Sequence, residues 1–294
     1  MSCEPPPAVF VVGAPRSGTT LLRFMLDSHP ELAIPPETAG LVPIVADLAH
    51  ADDARVSNPD DFVRLVTHVP EDAPTWRDFS MSAADLLDRC RSTVPFSPAG
   101  GLRAFYTLYA EHNGKRRWGD KTPLFGSRIA DIETLLPEAR FVHIIRDGRD
   151  VACSWHRQWF SPSNDLLELV SRWHAEIVAT RLAAQRVSHY MEVRFEDLVD
   201  DPRAVLQRIC SMLDLDFDPI MIEYHRRTPE RLLEHRDRLT TDGRVIVSHA
   251  RRMVQQRWVT RPPSRSRIGL WRSEPVFRNE IPASVCNMLT ELNY

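Results

Sequence analysis

Two groups of residues in this chain have the types and spacing needed to hold an anion. The first is Gly13-Ala14-Pro15-Arg16-Ser17-Gly18-Thr19-Thr20, whose glycines match the G-x-x-x-x-G spacing of a phosphate-binding loop. Glycines let the backbone curl until several N–H groups point inward, and a helix starting behind the loop adds positive potential. Arg16, Ser17, Gly18, Thr19 and Thr20 are therefore candidate anion ligands. A nucleotide triphosphatase would carry lysine where Thr19 stands, and the cation of this loop is Arg16 instead. Such a loop should hold a phosphate but is ill-suited to gripping a γ-phosphate. The second group begins at Arg146, which directly follows the apolar run FVHII, with Ser154 eight residues on. An arginine at the carboxyl end of a strand presents a planar, permanently charged fork to the ligand crevice of an open sheet. A serine one or two turns into the following helix could share the same phosphate.

The elements that position these groups are readable from periodicity. Residues 8–13 (AVFVVG) form a continuous apolar, β-branched run, the pattern of a fully buried parallel strand, and a helix is expected over 19–28. Helical spacing recurs near 39–50, 59–68, 82–92 and 102–112, with Asn58 and Ser82 as N-caps and Pro-bearing breaks at 70–75 and 95–98. A helix is expected over about 123–136, a strand at 140–145, helices to about 159 and over 165–186, a strand at 189–195, and helices over 202–213 and 282–293. Strands alternating with helices predict an α/β fold, a mostly parallel central sheet flanked by helices. The expected organisation is a single domain over 1–294, with a helical insertion about 37–113 and an irregular, Arg-rich segment about 226–272.

Taken together, the two motifs resemble those of the sulfotransferases that use 3'-phosphoadenosine 5'-phosphosulfate (PAPS), a P-loop-containing family. The resemblance runs from residue 8 to about 271, and the wording RSGTTLLRFMLDSHP…PPET and GDKTP resembles the tyrosylprotein and carbohydrate branch. It implies that the Arg16 loop takes the 5'-phosphosulfate side and that Arg146 and Ser154 take the 3'-phosphate. It further implies that Glu37, 21 residues after Arg16, is the catalytic base, and that Lys121 supports the bridging oxygen as charge builds there, with Arg16 sharing the task. The segment Ile268-Gly269-Leu270-Trp271-Arg272 resembles the family's late loop, making Arg267 and Gly269 further candidates for binding PAPS. Phe195 stands where that family usually has a tyrosine, so a hydroxyl contact to the nucleotide is lost.

The implied reaction moves the sulfuryl group of PAPS to an acceptor hydroxyl by in-line displacement, leaving 3'-phosphoadenosine 5'-phosphate (PAP), with no metal expected. The acceptor stays open among small molecules, glycans and tyrosyl peptides. A P-loop kinase or nucleotide hydrolase is the alternative enzyme class. Against it stand Thr19 and the placement of Asp147 one residue late for a metal-binding aspartate. A non-catalytic nucleotide-binding protein is the third reading, opposed by the joint presence of Glu37 and Lys121.

Composition bounds the rest. The chain has 294 residues, 43% of them hydrophobic and 26% charged, which is ordinary for a globular protein. A net charge of -3 gives no reason to expect nucleic-acid binding. Cysteines at 3, 90, 153, 210 and 286 show no CxxC spacing, so neither a zinc site nor a disulfide framework is expected. His112, His143 and His156 are read as structural, since no HExxH or similar pattern occurs. No apolar stretch is long enough for a membrane span or a signal segment, and a cytoplasmic location is expected. Lysine occurs at just two positions, Lys115 and Lys121, among 37 basic residues, which gives each some added interest.

Overall fold

The computed structural model describes residues 5–38, 40–67, 76–240, 242–278 and 280–294. Cys3 and the break expected at 70–75 lie outside the described residues. Five parallel strands form the central sheet: β1 (Ala8–Val12), β2 (Leu32–Ala33), β3 (Arg117–Lys121), β4 (Ala139–Ile145) and β5 (Tyr190–Arg194), in the order β2-β3-β1-β4-β5. The apolar run of β1 takes the central place, where all five of its residues are buried. It pairs on one side with β3 (Val9 opposite Gly119) and on the other with β4 (Val9 opposite Arg140). The chain therefore leaves β1 toward one edge and later returns to its other side. That reversal opens a crevice at the carboxyl ends of the strands.

The helices are α1 (Thr19–Asp27), α2 (Leu41–His50), α3 (Pro59–Thr67), α4 (Ala83–Arg91), α5 (Pro98–His112), α6 (Ile129–Leu135), α7 (Gly148–His156), α8 (Leu166–Ala184), α9 (Phe195–Asp200), α10 (Pro202–Met212), α11 (Thr228–Leu232), α12 (His249–Gln256) and α13 (Ala283–Glu291). As expected, the Ser82 hydroxyl accepts the amides of Ala84 and Asp85, and the Asn58 side chain accepts the amide of Asp61. The alternating faces of β1 feed two cores. Phe10 joins Phe141 and Trp118 with α2–α6, while Val9 and Val11 join α1 and α10. A third cluster packs α7, α8 and α13 around Trp173.

Three stretches depart from the sequence expectations. Residues 123–136 divide into a 3-10 turn at Pro123–Arg128 and the short α6. The Arg-rich 226–272 segment is not wholly irregular: it contains α11, a hairpin of β6 (Arg238–Leu239) and β7 (Val245–Val247), and α12. The largest departure is β3, whose sequence RWGDK shows no strand periodicity, although all five of its residues are buried. Burial of such a strand is tolerable because each of its charged side chains finds partners, although Arg117 Nε and Asp120 Oδ1 are left without one. The Arg117 guanidinium donates to the carbonyls of Pro7 (2.7 Å), Leu213 (2.6 Å) and Asp214 (3.0 Å). Asp120 and Lys121 bond side chains beside the crevice.

Arg117→Met keeps the apolar stem but strands these carbonyls. The expected result is a loss of about 2–3 kcal/mol in urea unfolding, with the m-value unchanged.

Candidate functional site

A cavity of about 1050 Å³ opens over the carboxyl ends of the sheet. Arg16 follows β1, Glu37 follows β2, Lys121 ends β3 and Arg146 follows β4, so one crevice gathers residues far apart in sequence. The loop after β1 is seated by close approach. A Cβ on Gly13 would lie 2.4 Å from the carbonyl oxygen of Ile144, and one on Gly18 would lie 2.4 Å from the Phe195 ring. Gly18 has φ +106° and forms the N-cap of α1 with no side-chain hydrogen bond, so the first amides of the helix keep their donors for a ligand. Arg16 itself sits at φ +75°, a left-handed conformation uncommon for a residue with a side chain, held here at the cavity wall. Beside it the Ser17 hydroxyl is buried with no hydrogen-bond partner. The uncapped amides at the start of α1 fit an anionic group, while the Ser17 amide is taken by the Ala14 carbonyl at 3.1 Å.

Three arginines converge on this cradle. Arg16 Nε donates to Ser154 Oγ at 3.3 Å. Arg146 donates Nη1 to the Arg16 carbonyl at 3.3 Å and Nη2 to the Arg267 carbonyl, and its Nε has no partner. Asp150 lies 3.6 Å from the Arg146 guanidinium, and the Phe195 ring lies 4.8 Å below it. Phe195 thus supports an arginine by cation–π contact where the family resemblance placed a hydroxyl. Burial, then the charges of Arg267 and Arg146, push the Arg16 pKa down to about 10. Burial and then Arg146 likewise lower Arg267. Like charges packed this closely leave an electrostatic demand that a bound anion would relieve.

On the other side of β1, the Lys121 ammonium donates to Glu37 Oε1. The lysine side chain is 4% exposed and the glutamate 38%. Desolvation opposes charge on Glu37, but Lys121, with Arg238 and Arg23 behind it, outweighs that cost and holds the carboxyl below its ordinary value. Desolvation lowers Lys121 in spite of Glu37.

Both partners are braced from behind by Asp120. This fully buried carboxylate accepts Thr38 Oγ1 and Tyr106 OH, each at 2.8 Å. Thr38 also donates its amide to Thr122 Oγ1 at 3.3 Å, and Tyr106 stacks on Trp118 at 4.6 Å. Burial raises the Asp120 pKa despite these donors. The chain neighbour of Glu37 is thereby tied to both chain neighbours of Lys121.

Among the described residues one histidine, His235, lines the cavity, and its tautomer decides its chemistry. Arg252 can only donate, and its Nη2 lies 2.9 Å from His235 Nδ1. The ring proton is therefore on Nε2, which donates to Gln256 Oε1 at 3.2 Å. Burial, then Arg252, push the pKa of His235 down to about 2, and with Nδ1 already accepting it has no free lone pair for a substrate proton.

Of the residues expected from sequence, Arg16, Gly18, Thr19, Thr20, Glu37, Lys121, Arg146, Ser154 and Arg267 line this one cavity. Ser17 sits behind the loop surface. Gly269 lies away from the cavity wall, its amide donating at 2.7 Å to Asp150, which also accepts Trp271 N–H at 3.1 Å. The two anion positions are not separate in this structure, because the Arg16 side chain spans them to reach Ser154. Asp147 caps α7 and takes both arms of Arg149, at 2.9 and 2.7 Å, away from the cavity lining. Among the described residues of the 37–113 insertion, Glu37, Gly40 and Pro43 line the cavity, and much of its remaining wall comes from 235–267. Asp120, Thr38, Tyr106 and His235 had no local signal as site residues, although Asp120 stands within the quoted GDKTP segment.

A family model described as the sulfotransferase family matches residues 7–219. Among curated proteins, nodulation protein NoeE of Sinorhizobium fredii is 28% identical over 236 residues, covering 73% of this chain and 51% of that protein. Protein-tyrosine sulfotransferase A of Caenorhabditis elegans is 24% identical over 228 residues, covering 75% and 53%. The chain thus spans about half the length of these two relatives. Among solved structures, the sulfotransferase domain of the Synechococcus PCC 7002 olefin synthase aligns with a TM-score of 0.63 and 23% identity, covering 100% of this chain and 97% of that one. That likeness extends to the whole fold.

Pyrophosphate is the simplest probe of the cradle. At concentrations about a hundredfold above its Kd it should raise Tm by several degrees, and Arg16→Ala should remove most of the rise in a thermal melt. Equal shifts in both proteins would count against the cradle.

Proposed function

The chain belongs to the sulfotransferase family, and on that premise we propose that it transfers the sulfuryl group of PAPS to an acceptor hydroxyl by a single in-line displacement. The observation that carries the reading is the continuity of one cavity from a cluster of mutually repelling arginines to the Lys121–Glu37 pair. PAPS supplies an activated sulfuryl group together with a phosphoadenosine leaving group. The amides at the start of α1 and Arg16 hold its phosphosulfate end, while Arg146, Ser154 and Arg267 hold the 3'-phosphate. To seat both ends, Arg16 turns from Ser154 toward the β1 loop.

Glu37 accepts the proton of the acceptor hydroxyl, a role its low pKa makes available across neutral pH. Lys121 has three donors, of which Glu37 takes one, so it can keep the base in place while aiming positive charge at the bridging oxygen. Charge develops on that oxygen as the bond to sulfur breaks, so this contact strengthens in the transition state. His235 is no rival as base, for the tautomeric reason above. The network from Asp120 through Thr38 fixes the approach of Glu37 to Lys121, where displacement by about an ångström can cost on the order of a hundredfold in rate. No described helix is long and apolar enough to cross a membrane. Free thiols at the buried Cys90, Cys153 and Cys210 support a reducing, cytoplasmic setting.

Calorimetry with PAP and transfer of radiolabelled sulfate test the assignment. Arg146→Ala should weaken PAP binding by about tenfold or more. Glu37→Ala should leave PAP affinity within about twofold while turnover falls by about 10²–10⁴; near-normal turnover would dismiss Glu37 as the base.

The pH profile of kcat/KM gives a second check. Glu37 must be ionised, and its pKa is lowered from 4.5, so the acid limb should fall below pH 4.5. Lys121 must be protonated, and its pKa is lowered from 10.5, so activity should decline as pH rises at a point below 10.5. Lys121→Arg should move that alkaline limb upward.

A further inference from the structure

The two arms of the cavity differ in how their cations are matched, and the difference bears on the acceptor. In the arm near β4 the arginines meet a hydroxyl, backbone carbonyls, one another and a single carboxylate, Asp150, 3.6 Å from Arg146. In the arm near β3 the cations are already engaged. Arg128 donates to Asp131 at 2.6 Å and also to Asp47. Arg252 holds Asp78 through two bonds of 2.7 and 3.0 Å, and Arg23 donates to the Ile34 carbonyl at 2.9 and 3.1 Å. Lys121 holds Glu37, and Arg238 adds its charge to the same carboxylate.

Of the neutral polar side chains described in this arm, Gln255 carries no hydrogen bond and the others are engaged. His235 and Gln256 bond each other, and Thr122 accepts the Thr38 amide. What the arm presents beyond these is apolar. Pro43 comes from α2, and Pro123, Leu124 and Phe125 follow Lys121 directly. Val247 faces Arg238 across the β6–β7 hairpin. Leu124, three residues after Lys121, lines the cavity with 60% of its surface exposed.

We infer that the acceptor hydroxyl is carried on an uncharged, apolar body that packs along Pro43, Leu124, Phe125 and Val247. This rests on the transfer reading above and narrows it. An acidic peptide would need cations not already paired with carboxylates or carbonyls, and a glycan would need more free hydrogen-bonding side chains than Gln255 supplies. A neutral apolar body asks for neither, and it covers Leu124.

The test uses 4-alkylphenols from methyl to octyl, an acidic tyrosyl peptide and an N-acetylglucosamine oligosaccharide. Equilibrium binding to the PAP-loaded protein and radiolabelled sulfate transfer are both measured. Phenol affinity and kcat/KM should rise about two- to fourfold per methylene until the arm is filled, with the peptide and glycan well below the longer phenols. Leu124→Asp should flatten the series without changing PAP affinity. A flat series with PAP still bound, or preference for the peptide or the glycan, overturns this inference and leaves sulfuryl transfer standing. Failure to bind PAP overturns both.

Discussion

The structure is organised around positive charge that its own residues leave incompletely matched. Arg16, Arg146 and Arg267 converge at the carboxyl ends of β1 and β4, where burial and mutual repulsion lower the pKa of Arg16. Such a cluster stays together because the backbone holds it. Gly13 lies against the Ile144 carbonyl, Gly18 lies against Phe195, and Arg146 is anchored to two main-chain carbonyls. The parallel sheet makes this possible, since it delivers the starts of two helices and the ends of several strands to one edge. Folding prepares the site before any ligand arrives, so an anion finds its charge environment organised in advance.

The proposed catalytic pair and the arginine cradle occupy opposite sides of the central strand. On the β3 side a cation and a carboxylate neutralise each other, and a second carboxylate behind them takes two hydroxyl hydrogen bonds. Burying Asp120 carries an electrostatic cost, visible in its raised pKa. Its return is positional, because Asp120 couples Thr38 to the strand that bears Lys121. Charge matching is nearly complete on this side and incomplete on the other. On that asymmetry rest the proposed assignment of one arm to a phosphorylated nucleotide and the inferred assignment of the other to an uncharged body.

Much of the α/β alternation was legible along the chain. β1 and β4 are apolar runs with turn chemistry at their carboxyl ends, and the long helices show their period. β3 was not legible, because RWGDK has the composition of an exposed turn. It is a buried strand since Arg117, Asp120 and Lys121 find partners such as Pro7, Thr38 and Glu37 at sequence separations of 82 to 110 residues, beyond the reach of local patterning. The α12 helix and the β6–β7 hairpin were hidden for a related reason: α12 is docked by its buried Arg252, bonded to the distant Asp78, and in β7 Val247 alone is buried.

At the site, the sequence alone determined which residue types stand beside which turns. The glycine spacing, Arg16, Arg146 and Ser154 were readable because a loop and the helix after it are local objects. Glu37 and Lys121 were reached through resemblance, and their direct pairing, like the grip of Asp120 on Thr38 and Tyr106, was decided by the tertiary structure. So were the reach of Arg16 to Ser154 and the tautomer of His235. Each of these depends on a distance between strands that chain order does not encode, and a few ångströms separate a free base from a paired one.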